Sequence, residues 1–223
     1  MTEQTTPRTV TADPGRRYLS AIRYDWLLPL YDPFTRLLGA PAAHRLLADQ
    51  ADLRSGQRVL EIGCGTGNLL LLVKRRHPDA TVVGLDPDPK ALARARRKAK
   101  RAGLSVRLDR GFADELPYPD GSVDRVLSAF MFHHLEPGDR RSALREVRRV
   151  LAPGGSLHLL DLGGGAAPSH RPLSRLAHHG GRLQDNASDR IVTLMWDAGL
   201  ANPRETDHRV TRFGRYTCYR ADR

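Results

Sequence analysis

Cysteine is nearly absent, with Cys64 and Cys218 the only two in 223 residues. Two thiols build no disulfide framework, so a reducing cytoplasm is the expected compartment. No apolar run approaches the roughly 20 residues that a bilayer-spanning helix requires. Residues 1–12 are polar and carry no apolar signal core, so neither a membrane span nor export is expected. The chain has no pair of histidines four apart on a helix, no C-x-x-C and no clustered carboxylates, and with them goes any strong sign of a metal site. Acidic residues are short by comparison with basic ones, 25 against 36, for a net charge of +11. Nearly all the basic residues are arginine and they are spread along the chain, which reads as a solvated surface rather than a nucleic-acid face.

What is present is a globular composition, 40% hydrophobic and 27% charged, of a length that suits one core. Its organising stretch is Val59-Leu60-Glu61-Ile62-Gly63-Cys64-Gly65-Thr66-Gly67-Asn68. A buried strand ends near an acid, then turns on three glycines into a helix expected from Leu69 to about Arg76. Open α/β sheets bind nucleotides in such turns at the carboxyl ends of their strands. The glycines fall at Gly63, Gly65 and Gly67 instead of in the G-x-G-x-x-G spacing that seats a pyrophosphate. Glu61, two residues before the first glycine, suits a ligand with a cationic amine better than one with a pyrophosphate.

A second strand over 80–86 ends at Asp86, about 20 residues past the glycine turn, where an acid accepts from ribose hydroxyls. Asp88 and Pro89 are an N-cap and a first-turn proline for a helix running to Ala102 and stopped by Gly103. That helix has a small apolar face of Ala91, Leu92, Ala95 and Ala99, and a charged one of Lys90, Arg94, Arg97, Lys98 and Arg101 read as solvated. Further strands are expected at 105–108, 124–130 and 156–161, with a helix over 139–151 and a Pro153-Gly154-Gly155 turn. A helix over 191–199 and two antiparallel strands, 204–210 and 216–221, complete the series. The rhythm means right-handed βαβ crossovers and a mostly parallel sheet.

Residues 1–15 read as a disordered tail and 16–223 as one domain. Within it, 16–54 is expected as an aromatic, proline-broken helical lid, including a helix over 44–53, and 163–189 as a glycine-rich connection covering the site.

The glycine string resembles the first motif of the class I S-adenosylmethionine-dependent methyltransferases. The stretch from Gly111-Phe112-Ala113-Asp114 to Asp124 resembles the adenine-side motif of the methyltransferase type 11 group, which includes the ubiquinone/menaquinone methyltransferases. His133-His134-Leu135 and the run from Arg145 to Gly155 resemble later motifs of that group, and Tyr31-Asp32-Pro33 is similar to an N-terminal element of its quinone-modifying members. The resemblance implies a Rossmann-like, doubly wound, mostly parallel seven-stranded sheet with a C-terminal antiparallel hairpin. It implies S-adenosyl-L-methionine as cofactor, with S-adenosyl-L-homocysteine as product. Glu61, Gly63, Gly65 and Gly67 would face its methionine portion, with Ser128 beneath and Tyr31 nearby. Asp86 would hold the ribose, Pro87 would lie against the adenine, and Ala113 would offer it a backbone N–H. Phe112 stands where the family usually has Asp; it would stack on the ring, with Asp114 as a substitute acid.

Methyl transfer from a sulfonium is an in-line displacement, and a base is needed only if the acceptor must lose a proton. His133 is the catalytic candidate, with His134, Asp161 and the pair His178-His179 as others. The expected partner is a small-molecule acceptor, quinone-like, phenolic or another secondary metabolite, methylated at O, N or C; a homodimer is left open. The alternatives are an RNA or protein methyltransferase, or a non-catalytic Rossmann-type nucleotide-binding protein. No Asn-Pro-Pro-Tyr string and no Pro-Cys nucleophile supports the nucleic-acid alternative.

Overall fold

Val59 to Ile62 is an unbroken buried run, the pattern of a strand covered on both faces. In a computed structural model, which describes residues 39–162, 188–211 and 214–223, that run is β1 (Arg58–Ile62), an interior strand of a seven-stranded sheet. The elements, in chain order, are α1 (Ala40–Gln50), β1, α2 (Asn68–Arg76), β2 (Thr81–Asp86), α3 (Pro89–Arg101), β3 (Arg107–Arg110) and β4 (Val123–Ala129). A short 3₁₀ turn (Phe132–His134) then leads to α4 (Pro137–Val150), β5 (Leu151–Leu162), α5 (Ser188–Asp197), β6 (Ala201–Thr211) and β7 (Gly214–Asp222).

The strand order is β3-β2-β1-β4-β5-β7-β6, with β1 to β5 parallel and β7 antiparallel to both its neighbours. The expected α/β class, mostly parallel sheet and closing hairpin are all present. The order reverses between β1 and β4, and it is there, at the carboxyl ends, that such sheets leave a crevice. One face is covered by α1 and α2 over Val59, Val82, Leu127, Leu160 and Cys218. The other is covered by α4 and α5 over Leu60, Ile62, Val126, Leu157 and Leu159. Asp88 caps α3 as expected, its Oδ1 accepting from the Lys90 amide over 2.8 Å, with Pro89 in the first turn.

Three boundaries differ from the sequence reading. β3 lies two residues later than 105–108, a half-buried edge strand with little apolar signal. β5 begins at Leu151 rather than Ser156, because Leu151 already pairs with Val123 of β4 and the strand bulges over 152–155, opposite Asp124, before pairing resumes at Ser156. β6 starts at Ala201, since it too carries irregularities that break its alternation. The expected lid helix over 44–53 is α1, beginning four residues earlier with Pro41 in its first turn. The tail, the lid before residue 39 and the connection at 163–187 lie outside the described residues. No helix among the described residues is long and apolar enough to cross a membrane.

Candidate functional site

The turn after β1 sits at the sheet's switch point. Gly63, Gly65 and Gly67 all have positive φ, 69°, 52° and 77°. The reasons differ by position. A Cβ on Gly63 would collide with Met131 Cγ and Cβ, so the Met131 side chain, just past β4, lies directly on the turn. A Cβ on Gly65 would meet nothing within 4 Å among the described residues. The first glycine serves packing; the second leaves open space above the turn. Cys64 is buried filler, as expected, beside the side-chain-free Gly84.

Two carboxylates frame the turn. Glu61 is 3% exposed, and its Oε2 has no hydrogen-bond partner among the described residues. Burial, then the nearby Asp86 charge, push its carboxyl well above the usual range, and the Leu70 amide and Lys98 offset this only in part. Asp86, at the end of β2, is tied on both oxygens: Oδ2 accepts from the Gly65 amide at 2.8 Å and Oδ1 from the Asp88 amide at 2.9 Å. Burial raises its pKa to about 6 in spite of those two donors. A buried carboxylate oxygen with no partner is costly to keep, and a cation placed against it removes the cost. The donor set therefore fits a ligand that brings a cationic amine to Glu61 and hydroxyl groups towards Asp86, as S-adenosylmethionine would.

Asp86 also accepts, through its backbone carbonyl, from the Gly111 amide at 3.3 Å, which brings the segment expected to meet the adenine beside the acid expected to hold the ribose. Pro87 is half-buried and its carbonyl accepts from Arg110 Nε at 3.2 Å. Phe112 and Glu115 form an isolated antiparallel bridge, so Ala113 and Asp114 occupy the tip of a tight turn, Ala113 buried and Asp114 half-buried. Arg149 fastens that segment from α4, donating to the carbonyls of Leu116 (2.9 Å) and Tyr118 (2.8 Å) while paired with Glu146 and Asp120. Glu146 in turn accepts from the Leu116 amide.

Ser128 is fully buried at the end of β4, and its hydroxyl has no partner among the described residues. His133 and Asp161, candidates named separately in the sequence, are in contact: Nδ1 to Oδ1 is 2.5 Å. Asp161 is fully buried and also accepts from the Leu162 amide. A carboxylate on Nδ1 selects the tautomer protonated there and leaves Nε2 as the basic nitrogen. His134 stacks against His133 at 4.0 Å between ring centroids. Tyr31 and His178-His179 lie outside the described residues.

Sequence reasoning missed several members of this neighbourhood. Lys98, counted with a solvated face, turns its ammonium onto the glycine turn, 3.3 Å from Thr66 Oγ1 and 2.5 Å from Asn68 Oδ1. Periodicity alone cannot separate a lysine at the margin of a charged face from one that reaches back across it. Phe130, with φ 56°, sits at the mouth of β4 without any sequence sign of its left-handed backbone. A surface recess between α4 and α5, lined among others by Arg140, Arg141, Arg190 and Leu194, includes none of the expected site residues.

The family model described as a methyltransferase domain matches residues 59–155. A demethylmenaquinone methyltransferase of Thermus thermophilus is 44% identical over 138 residues, 60% of this chain and 62% of that protein. The chain thus spans less than two thirds of that relative's length. An uncharacterized methyltransferase of Synechocystis is 34% identical over 156 residues, 69% of this chain and 68% of that one. Among solved structures, a Haemonchus contortus phosphoethanolamine N-methyltransferase in complex with S-adenosyl-L-methionine shares the fold, with a TM-score of 0.68 at 16% identity over 82% of this chain and 52% of that one. With that turn, those two carboxylates and those relatives, the chain belongs to the class I S-adenosylmethionine-dependent methyltransferases.

Proposed function

We propose that this protein transfers a methyl group from S-adenosylmethionine to a small-molecule acceptor whose reacting O–H or C–H is acidic, such as a phenol or hydroquinone. The observation that carries the donor half is the unpartnered Glu61 Oε2 beside the open face of Gly65. When bound, the cofactor supplies a methyl group already activated on a sulfonium.

What the chain itself supplies is alignment, dryness and a proton acceptor. Glu61 would pair with the amino group at one end of the donor and Asp86 with the ribose hydroxyls. Holding two reactants in register contributes roughly 7–11 kcal/mol in favourable cases. His133 would take the acceptor's proton on Nε2. Asp161, held by Leu162, keeps the imidazole oriented and stabilises the imidazolium that results. Such a pair has a use only for an acceptor that ionises, which favours an acidic O–H or C–H over a neutral amine. The name of the Thermus relative, a demethylmenaquinone methyltransferase, agrees with that class of acceptor.

Two measurements test this. Calorimetric titration should give binding of S-adenosylhomocysteine and none of NAD; tight NAD binding with no response to the methyl-donor nucleoside would overturn the reading. A panel of phenols, hydroquinones, amines and RNA, incubated with radiolabelled methyl donor, should label the first two classes. Labelling confined to RNA would move the assignment to the nucleic-acid alternative.

A further inference from the structure

Arg140, in the first turn of α4, is only 3% exposed. An arginine keeps its charge at every pH a protein meets, and burying a charge is costly. The amino end of a helix, where the peptide dipoles leave a partial positive charge, is moreover a poor place for a cation. Where filling space is the only need, an apolar residue of similar volume serves without those costs. A guanidinium kept at this position is accounted for by what it holds.

What it holds is the turn that carries His133. Arg140 Nε donates to the Leu135 carbonyl at 3.0 Å, and its Nη2 donates to the His133 carbonyl at 3.2 Å. Its own amide donates to the Glu136 carbonyl at 3.0 Å, and its guanidinium carbon stands 5.7 Å from the centre of the Phe132 ring. Phe132–His134 is a single 3₁₀ turn, closed by the His134 amide on the Met131 carbonyl and the Leu135 amide on the Phe132 carbonyl. Bonds in such turns have poor geometry, so the turn is a soft support by itself. The rigid fork of Arg140 takes two further carbonyls, those of His133 and Leu135, and gives the turn two more fixed points.

His133 is therefore gripped from both ends. Asp161, at the end of β5, holds its ring, and Arg140 of α4 holds its carbonyl. The contact at Nδ1 sets the tautomer and the facing of the ring. The distance at which Nε2 meets an acceptor depends also on where the backbone beneath it stands. A misplacement of about 1 Å can cost on the order of 100-fold in rate.

We propose that Arg140 is a positioning residue for methyl transfer, one that fixes the place of His133 Nε2 through the His133 and Leu135 carbonyls and acts on the reaction only through that histidine. This rests on the reading of His133 as proton acceptor given above.

The test is a double-mutant cycle on the full-length protein, with radiolabelled S-adenosylmethionine as donor and 1,4-naphthohydroquinone, kept reduced, as acceptor. Arg140→Met keeps the apolar stem and should lower kcat at least about 10-fold. The KM for the hydroquinone and the Kd for S-adenosylhomocysteine should stay within about twofold of wild type, since neither depends on the proton acceptor. In a His133→Asn background the same Arg140→Met change should alter kcat by less than about twofold, because the group it places is already gone. A merely structural arginine would lower kcat by the same factor in both backgrounds. That result, or an unaltered kcat in Arg140→Met, overturns the positioning role and leaves the His133 reading standing. An unaltered kcat in His133→Asn alone overturns that reading and this inference with it. Wild type that leaves 1,4-naphthohydroquinone unlabelled overturns the class of acceptor proposed above, and again this inference with it. Should Arg140→Met not fold, Arg140→Lys, whose ammonium has no fork to span two carbonyls, goes through the same cycle with the same outcome expected.

Discussion

The backbone amide of Gly65 donates to Asp86 Oδ2 across 2.8 Å, joining two residues 21 apart in sequence. The acid expected to hold a ribose is thus also the pin that sets the glycine turn, and the two roles share one carboxylate. Asp86→Ala should therefore lower both the Tm and the affinity for S-adenosylhomocysteine. Removing an ionised acceptor from buried donors costs about 1.5–3 kcal/mol, or roughly 10- to 150-fold in Kd. Asp86→Asn should keep part of the stability and lose the affinity. Thermal melts and calorimetry on the two variants read this directly, and an unchanged Kd would displace the cofactor from this end of the sheet.

Acidity should control cofactor binding. Burial raises Asp86 to about 6 and lifts Glu61 as well, so both are more readily protonated in the free folded protein than in the unfolded chain. The sign follows from linkage. For a carboxyl whose folded pKa is raised, the folded state binds the extra proton, so its contribution to stability is present at low pH and is lost between about 4 and 6 for Asp86. Ligand binding goes the other way, because an amine and ribose hydroxyls need the ionised forms. Affinity for S-adenosylhomocysteine should fall by up to about 10-fold per pH unit below 6 through Asp86 alone, and more steeply where Glu61 is protonated too. The rise in Tm that it produces should be larger at pH 8 than at pH 5, and equal shifts would count against both carboxylates as ligands.

The two glycines should separate folding from binding. Gly63→Ala meets Met131 as well as an unfavourable φ, and is expected to cost several kcal/mol, partly restored by Met131→Ala. Gly65→Ala meets nothing among the described residues, so the penalty expected is that of the left-handed backbone, about 1–2 kcal/mol. Its new methyl group enters the open space over the turn, and S-adenosylhomocysteine binding should drop more than 10-fold in a protein that still melts cooperatively. The reverse order of effects would mean that the space over Gly65 is not where the ligand lies.

His133→Asn and Asp161→Asn should each lower kcat roughly 100-fold or more on a phenolic acceptor, with little change in the Kd for S-adenosylhomocysteine. An unaltered kcat in His133→Asn would assign the proton transfer to another group.

The parts of this molecule that were readable from sequence are those with local signatures. The acid-plus-glycines string, the Asp88-Pro89 cap and the buried run of β1 each announce themselves within ten residues. The parts that were not readable depend on where separate segments meet. His133 and Asp161 are 28 residues apart, and nothing in either neighbourhood says that they touch. Lys98 belongs by period to a charged face, and only the closeness of α3 to the turn, where Ala95 stands opposite Gly67, draws its head group inward. Pro153-Gly154-Gly155 is turn chemistry and predicts a short β5, whereas the strand's early start comes from Leu151 pairing with Val123 of β4, 28 residues back. Phe112, without the family's acid, sits in a bridge that presents its neighbours Ala113 and Asp114.

The position of β7 governs how this sheet can be assembled. It is made after β6 yet lies between β5 and β6, pairing with one from Ser156 to Leu162 and with the other from Ala201 to Thr211. On a ribosome, β1 to β5 can form in order, but the open edge of β5 stays bare and β6 has nowhere to dock until residues 214–222 have emerged. An unpaired strand edge invites non-native pairing. Chaperone dependence and aggregation of nascent chains should therefore concentrate in the interval between synthesis of residue 162 and residue 222.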